Sequence, residues 1–242
     1  MRAIFTGIEY AGKTTLINLL GGYYEARGLP AHYDDHFSLP DRTLSEESRK
    51  LLLDAPDDMK ERYQRMQIQF HIELIEFIQN PLFGGWFIEE AVYCDIYGDD
   101  PDSPYYRRYR HIKQRVYEAQ IFERRLPDVV LFHLTADDET IRRRMKDAPH
   151  EHQVIREPDI ARIKERFAEE VENSLFRKVG RVVTIDTTGR TPEQSLDEIL
   201  LKSEPMVTFG ELTLRALPVP GGRQQVVYRN GVRTLVPARS AG

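Results

Sequence analysis

Eight residues near the start of the chain, Gly7-Ile8-Glu9-Tyr10-Ala11-Gly12-Lys13-Thr14, satisfy the spacing G-x-x-x-x-G-K-[ST] without a gap. The two glycines let the backbone curl until successive N–H groups point into one hollow, and a helix beginning near Lys13 adds the positive end of its dipole. Such a cradle binds a polyphosphate. Lys13 would bridge the β- and γ-phosphates of ATP. The Thr14 hydroxyl would take a position on Mg²⁺, a metal that prefers oxygen ligands and is held jointly by protein and phosphates. Glu9, Tyr10, Ala11 and Thr15 complete the nucleotide-binding candidates in this loop. The apolar strand Ala3-Ile4-Phe5 before the loop, and the apolar helix positions Leu16, Ile17, Leu19 and Leu20 after it, supply the context the motif needs.

Three further segments carry polar residues just after apolar strand-like runs: Asp34-Asp35-His36-Phe37, Glu89 to Asp95, and Thr135 followed by Arg142, Arg143 and Arg144. In parallel α/β sheets, ligands sit beyond the carboxyl ends of the strands. Glu89 is expected at the end of a buried strand, Trp86 to Ile88, where an unpaired carboxylate is costly; it is therefore read as meeting Mg²⁺-bound water or an arginine. Glu90 would point the opposite way along that strand, as a structural residue. Three consecutive helical residues cannot face one site, and Arg144 is the one assigned to the transferring phosphoryl group, with Arg156 and Lys146 behind it. His150 and His152 are assigned no chemistry. Phe37, Tyr63 and Phe70 are candidates to stack on an acceptor, although the spacing of Phe70 also places it in a core.

The elements that must position these residues follow from periodicity. Strand-like runs at Ala3–Phe5, Ala31–Tyr33, Trp86–Ile88, Val129–Leu134 and Val182–Ile185 alternate with longer helical stretches, which predicts an α/β fold with a five-stranded, mainly parallel sheet. Met66, Phe70, Leu74 and Phe77 mark one helix and Ile112, Val116 and Ala119 another; Thr191 before Pro192-Glu193 should cap a third. From about Pro205 the pattern changes to β-rich segments around Asn230-Gly231, a hairpin signal. The division expected is a main domain at 1–204 and a C-terminal β-hairpin extension at 205–242 that packs on the domain or on a partner.

Composition bounds the reading. A chain of 242 residues that is 40% hydrophobic can bury one sizeable core. Its net charge of −5 argues against a nucleic-acid partner. A single cysteine, Cys94, excludes an internal disulfide framework. With no leader-like segment and no run of about 18 apolar residues, a cytoplasmic chain without membrane contact is expected.

The chain resembles the thymidylate kinase and deoxynucleoside kinase superfamily. Beyond the phosphate loop, Glu89-Glu90-Ala91-Val92-Tyr93-Cys94-Asp95-Ile96-Tyr97 is similar to the E-R-S-V-Y-S-D-R-Y segment of deoxynucleoside kinases, and Leu134 to Arg144 is similar to their fourth strand and arginine-bearing helix. The resemblance spans residues 1–200 and implies a three-layer P-loop kinase fold, a helical lid at 146–157, and transfer of the γ-phosphate of ATP to a nucleoside or nucleoside monophosphate. It implies an acidic base at Asp35 or Asp34, and an acceptor pocket that includes Asp35, Phe37, Glu89, Tyr93 and Asp95. It also implies a homodimer face on the long helices flanking the third strand. Two family arginines are replaced here by Glu90 and Ile96, which favours an acceptor that carries no phosphate, with arginines on the helix from Tyr105 to Arg125 as the alternative cations. Two alternatives stand beside this reading: a nucleotide-dependent switch for a protein partner, with the hairpin as its docking element, and a polynucleotide 5′-hydroxyl kinase.

Overall fold

The computed structural model describes residues 1–34, 45–85, 87–103, 105, 123–150, 153–219, 224–229 and 232–237. Its strands are β1 (Ala3–Thr6), β2 (His32–Asp34), β3 (Pro81–Gly84), β4 (Val130–Thr135) and β5 (Val182–Asp186). They form a parallel sheet in the order β2-β3-β1-β4-β5, with β5 attached at one edge through β4 alone. β1 is central, and every residue in it is buried, as expected of a strand covered by helices on both faces. The chain leaves β1 toward β2 and β3 on one side, then passes back across β1 to β4. That reversal opens a crevice at the carboxyl end of β1.

The helices are α1 (Lys13–Glu25), α2 (Glu46–Asp54), α3 (Asp57–Phe77), α4 (Phe87–Tyr97), α5 (Asp138–Asp147), α6 (Ile160–Asn173), α7 (Leu175–Lys178), α8 (Pro192–Ser203) and α9 (Phe209–Arg215). Phe5 and Phe132, stacked at 4.9 Å across β1 and β4, sit in a core shared with Leu16, Leu20, Phe167 and Ile199. Each such side chain contributes about 1.5–3 kcal/mol on burial. Thr191 caps α8: its hydroxyl accepts the Gln194 N–H at 3.2 Å, and the Gln194 side chain accepts the Thr191 N–H at 2.9 Å.

Several expectations are corrected. The third strand is Pro81–Gly84, paired with β1 through Ala3↔Leu82, and Phe87 and Ile88, expected in a strand, instead open α4. A short apolar run reads alike as a strand or as a buried helix, and α4 is apolar nearly all round: Phe87, Ile88, Ala91, Val92, Tyr93, Cys94 and Tyr97 are all buried. Gly85, at φ 80, makes the break between strand and helix. The helix α5 runs into the expected lid only as far as Asp147; Ala148 turns out of helix at φ −144 and ψ 69, and Pro149 follows. Among the described residues, helical geometry returns at a 3-10 turn, Glu157–Asp159. Among the described side chains of α3, His71, Ile72 and Ile75 are buried, whereas Phe70 is 56% exposed and so does not enter the core.

The tail holds a helix as well as the hairpin. On α9, the Glu211 carboxylate accepts the Tyr24 hydroxyl, and Arg215 donates to the Leu200 carbonyl at 2.9 Å and to the Ser203 hydroxyl at 3.1 Å, tying α9 to α1 and α8. Strands β6 (Gln224–Arg229) and β7 (Val232–Pro237) pair antiparallel, and β6 packs against α1. Trp86, the helix marked by Ile112, Val116 and Ala119, the Gly221-Gly222 linker and the Asn230-Gly231 turn lie outside the described residues. Among the described residues, no helix is long and apolar enough to cross a membrane.

Candidate active site

The site grows from the end of β1. Gly7 turns the chain out of the strand at φ 140, and a Cβ there would stand 2.1 Å from the Leu134 carbonyl oxygen of β4. Only glycine fits both the torsion and the neighbour. Tyr10 adopts φ 66 and Gly12 φ 96, so the loop passes twice through the left-handed region before α1 begins. No side chain caps α1 and its first turn holds no acid, as an anion site at a helix start requires. Thr14 and Thr15 are exposed there.

Lys13 folds back over the loop. Its ammonium donates to the carbonyls of Gly7 at 2.6 Å and Ile8 at 3.2 Å, and lies 3.3 Å from Glu89 Oε1 in the first turn of α4. Glu89 therefore reaches the site from a helix N-terminus and not from a strand end, and Glu90, beside it on α4, is buried. His133 on β4 is held neutral over the working range: burial, reinforced by the Lys13 charge, lowers its pKa to about 4.

Two residues fix the outer part of the loop. The Glu9 N–H donates to the Tyr93 hydroxyl at 3.0 Å, and Arg144 Nη1 donates to the Tyr10 carbonyl at 2.7 Å. Tyr93 is buried with its ring against Tyr105 and Phe167, and that burial raises its phenol pKa well above the usual value. Arg144, half-buried in the last turn of α5, also donates to the Thr187 hydroxyl and carbonyl, each at 3.0 Å. Burial, with the Arg143 charge adding to it, pulls the Arg144 pKa down, marking a cation in a poorly solvated place beside the loop.

The structure thus gathers Gly7, Glu9, Tyr10, Ala11, Gly12, Lys13, Thr14, Glu89, Tyr93 and Arg144 around one loop. Asp95 and Arg156 stand apart from it. Asp95 pairs with Arg166 at 2.5 Å, and Arg156 pairs with Asp100 and lies over the Tyr97 ring. Asp35 and Phe37 lie outside the described residues. Thr187 is a site residue that sequence reasoning missed: its hydroxyl lies 3.1 Å from both the Ala11 and the Thr135 carbonyls, joining the loop to β4. Its signal is its position directly after β5, at the carboxyl end of a parallel strand. A second omission is the set of contacts that His150, Val154 and Ile155 of the expected lid make with Glu9 and Tyr10, which no spacing rule announces.

Solved structures share this fold. Thymidylate kinase from Candida albicans matches with a TM-score of 0.56 and 17% identity, over 84% of this chain and 90% of that one. Deoxyadenosine kinase from M. mycoides with bound dATP gives a TM-score of 0.55 and 12% identity, over 84% and 98%. The YorR protein of Bacillus subtilis, in complex with phosphorylated GDP, gives 0.54 and 15%, over 86% and 99%. No protein-family profile matches the sequence, and no curated protein matches it. At these identities the likeness is one of fold.

Proposed function

We propose that the chain is an ATP-dependent phosphotransferase that moves the γ-phosphate of ATP to a nucleoside or nucleoside monophosphate. The observation that carries this is the opposition of Lys13 and Glu89 over a glycine-hinged loop at the start of an uncapped helix. The loop N–H groups bind the phosphate chain, and Lys13 exchanges its carbonyl and carboxylate partners for phosphate oxygens, neutralising charge as the phosphoryl group transfers.

The residues present fit a magnesium ion shared with the nucleotide. Thr14 offers an exposed hydroxyl and Glu89 a carboxylate, both oxygen donors, and among the described residues no cluster of three His, Cys, Asp or Glu side chains forms a cage of the all-protein kind. When bound, Mg²⁺ would offset charge on the β- and γ-phosphates. Asp35 is proposed as the base that accepts the acceptor's proton, on the strength of the family resemblance. Arg144, held between Tyr10 and Thr187, is proposed as the cation on the nucleotide side; Arg156 would have to leave Asp100 to join it.

The acceptor favoured is unphosphorylated, because the arginines described nearby already serve carboxylates: Arg156 pairs with Asp100, and Arg166 with Asp95, Glu169 and Glu170. Residues 1–204 are taken as the catalytic unit and 205–242 as its cover. The exposed Met66, Phe70 and Phe77 of α3 support a homodimer face. The decisive experiment incubates the protein with γ-labelled ATP, Mg²⁺ and separate panels of nucleosides, nucleoside monophosphates and short oligonucleotides, with a no-acceptor control. Label in the nucleoside panel is expected. Release of free phosphate alone would replace this reading with the switch, and label in oligonucleotides with the polynucleotide kinase.

A further inference from the structure

Glu9 and Tyr10 are two of the four unspecified positions of the phosphate-loop motif, so the motif itself asks nothing of their side chains. Here both are engaged, and with the same stretch of chain. Glu9 Oε2 accepts the backbone N–H groups of Val154 and Ile155, each at 3.0 Å, and Glu9 Oε1 lies 3.4 Å from His150 Nδ1. The Tyr10 ring stacks on the His150 ring at a centroid distance of 4.1 Å and an interplanar angle of 19°. The Tyr10 hydroxyl accepts the His150 N–H at 2.9 Å and donates to Gln153 Oε1 at 3.0 Å. Gln153 closes the set by donating its amide to the Ile155 carbonyl at 3.0 Å.

These side-chain contacts add to the backbone contacts of the same two residues, where Tyr93 accepts the Glu9 N–H and Arg144 donates to the Tyr10 carbonyl. Between the two sets, Tyr10 keeps a left-handed backbone that a β-carbon disfavours. A non-glycine residue persists in that conformation when its surroundings over-determine it, and here the hydroxyl, the ring, the carbonyl and the neighbouring carboxylate are all fixed.

We propose that Glu9 and Tyr10 are positioning residues that clasp His150 and residues 153–155 to the phosphate loop, holding the loop in its anion-binding shape and slowing the departure of a bound nucleoside triphosphate. The Glu9 carboxylate is the stronger half, because a charged acceptor takes two N–H groups that would otherwise face water. The second half is the Tyr10 hydroxyl with its stacked ring. The effect on ATP rests on the phosphotransferase reading; the contact between loop and segment does not.

The test separates the two. Hydrogen exchange on the ligand-free full-length protein reads the amides of Val154 and Ile155, and displacement of a fluorescent ATP analogue by excess ATP reads nucleotide release. In Glu9→Ala, exchange at both amides should accelerate by at least about tenfold, the size expected for losing bonds to a charged acceptor, and analogue release should quicken by a similar factor. Glu9→Gln, which keeps one carbonyl oxygen, should fall between. Tyr10→Phe keeps the ring and removes one oxygen; it should expose the His150 amide and quicken release severalfold, and it decides the matter should Glu9→Ala fail to fold. If wild type binds the analogue while exchange or release stays unmoved in these variants, the clasp is overturned alone. If wild type binds no analogue, both the phosphotransferase reading and the positioning role are overturned, and the exchange data then report a purely structural contact.

Discussion

The Lys13 ammonium lies 3.3 Å from Glu89 Oε1, so the phosphate loop and the first turn of α4 meet at an ion pair. Both side chains are mostly shielded, at 15% and 16% exposure, so solvent screens the attraction only in part. An incoming triphosphate must take the lysine from Glu89 and from two loop carbonyls, and it finds the charge already in place. Lys13→Ala should therefore lower kcat/KM by at least about 10³-fold with the far-UV circular dichroism unchanged, since Lys13 adds nothing to the apolar core. Full turnover by that variant would refute its role.

Glu89→Gln preserves shape and removes charge. In the proposed role its loss should lower kcat by about 10²–10³-fold and raise the Mg²⁺ concentration needed for half-maximal rate, while the KM for ATP moves less. Steady-state rates across a magnesium titration read this directly. A change confined to the KM for ATP would assign Glu89 to holding Lys13 and nothing more.

The two motif glycines should differ in what they tolerate. At Gly7 an added Cβ would meet the Leu134 carbonyl oxygen at 2.1 Å in a left-handed backbone, so Gly7→Ala should cost at least about 3 kcal/mol by urea denaturation. At Gly12 nothing stands within 4 Å of an added Cβ and only the φ of 96 opposes it, so Gly12→Ala should cost about 1–2 kcal/mol. Equal losses would mean that the approach of β4 to the loop is not tight.

Glu123 gives stability a pH dependence with a defined sign. It is 3% exposed, accepts the Leu175 N–H at 2.5 Å, and is pushed by burial to a pKa of about 7, against the opposing pull of that hydrogen bond and of Lys178. The folded state then holds its proton more tightly than the unfolded chain does, so stability is full below the usual carboxylate pKa and is lost as pH rises toward about 7. Gln cannot ionise and keeps the acceptor oxygen. Between pH 5 and pH 8, Glu123→Gln should gain about 2 kcal/mol relative to wild type; parallel stability curves for the two proteins would contradict this.

How much of this could be read in advance depended on whether the information was contiguous. The phosphate loop was legible because its demands fall on neighbouring residues: glycines for torsions, a lysine for charge, a hydroxyl at the helix start. The Thr191 cap was legible for the same reason. Glu89 is legible as a candidate although its element is not, since the run Trp86 to Ile88 is apolar enough to pass for a strand until β3 is seen paired to β1 at Leu82. Phe70 was placed in a core by its period, which identifies a face but not the neighbour that covers it.

The sequence by itself determined the α/β alternation, the position of the phosphate loop and the chemistry that loop offers, because each rests on local torsions and on hydrophobic period. Only the tertiary structure decided that Glu89 faces Lys13, that Arg144 joins Tyr10 to Thr187, and that Glu9 is claimed by the backbone at 154 and 155. These pairs lie tens of residues or more apart in the chain. Their meeting is set by the order in which parallel strands stack side by side, and no local torsion or spacing in the chain encodes that order.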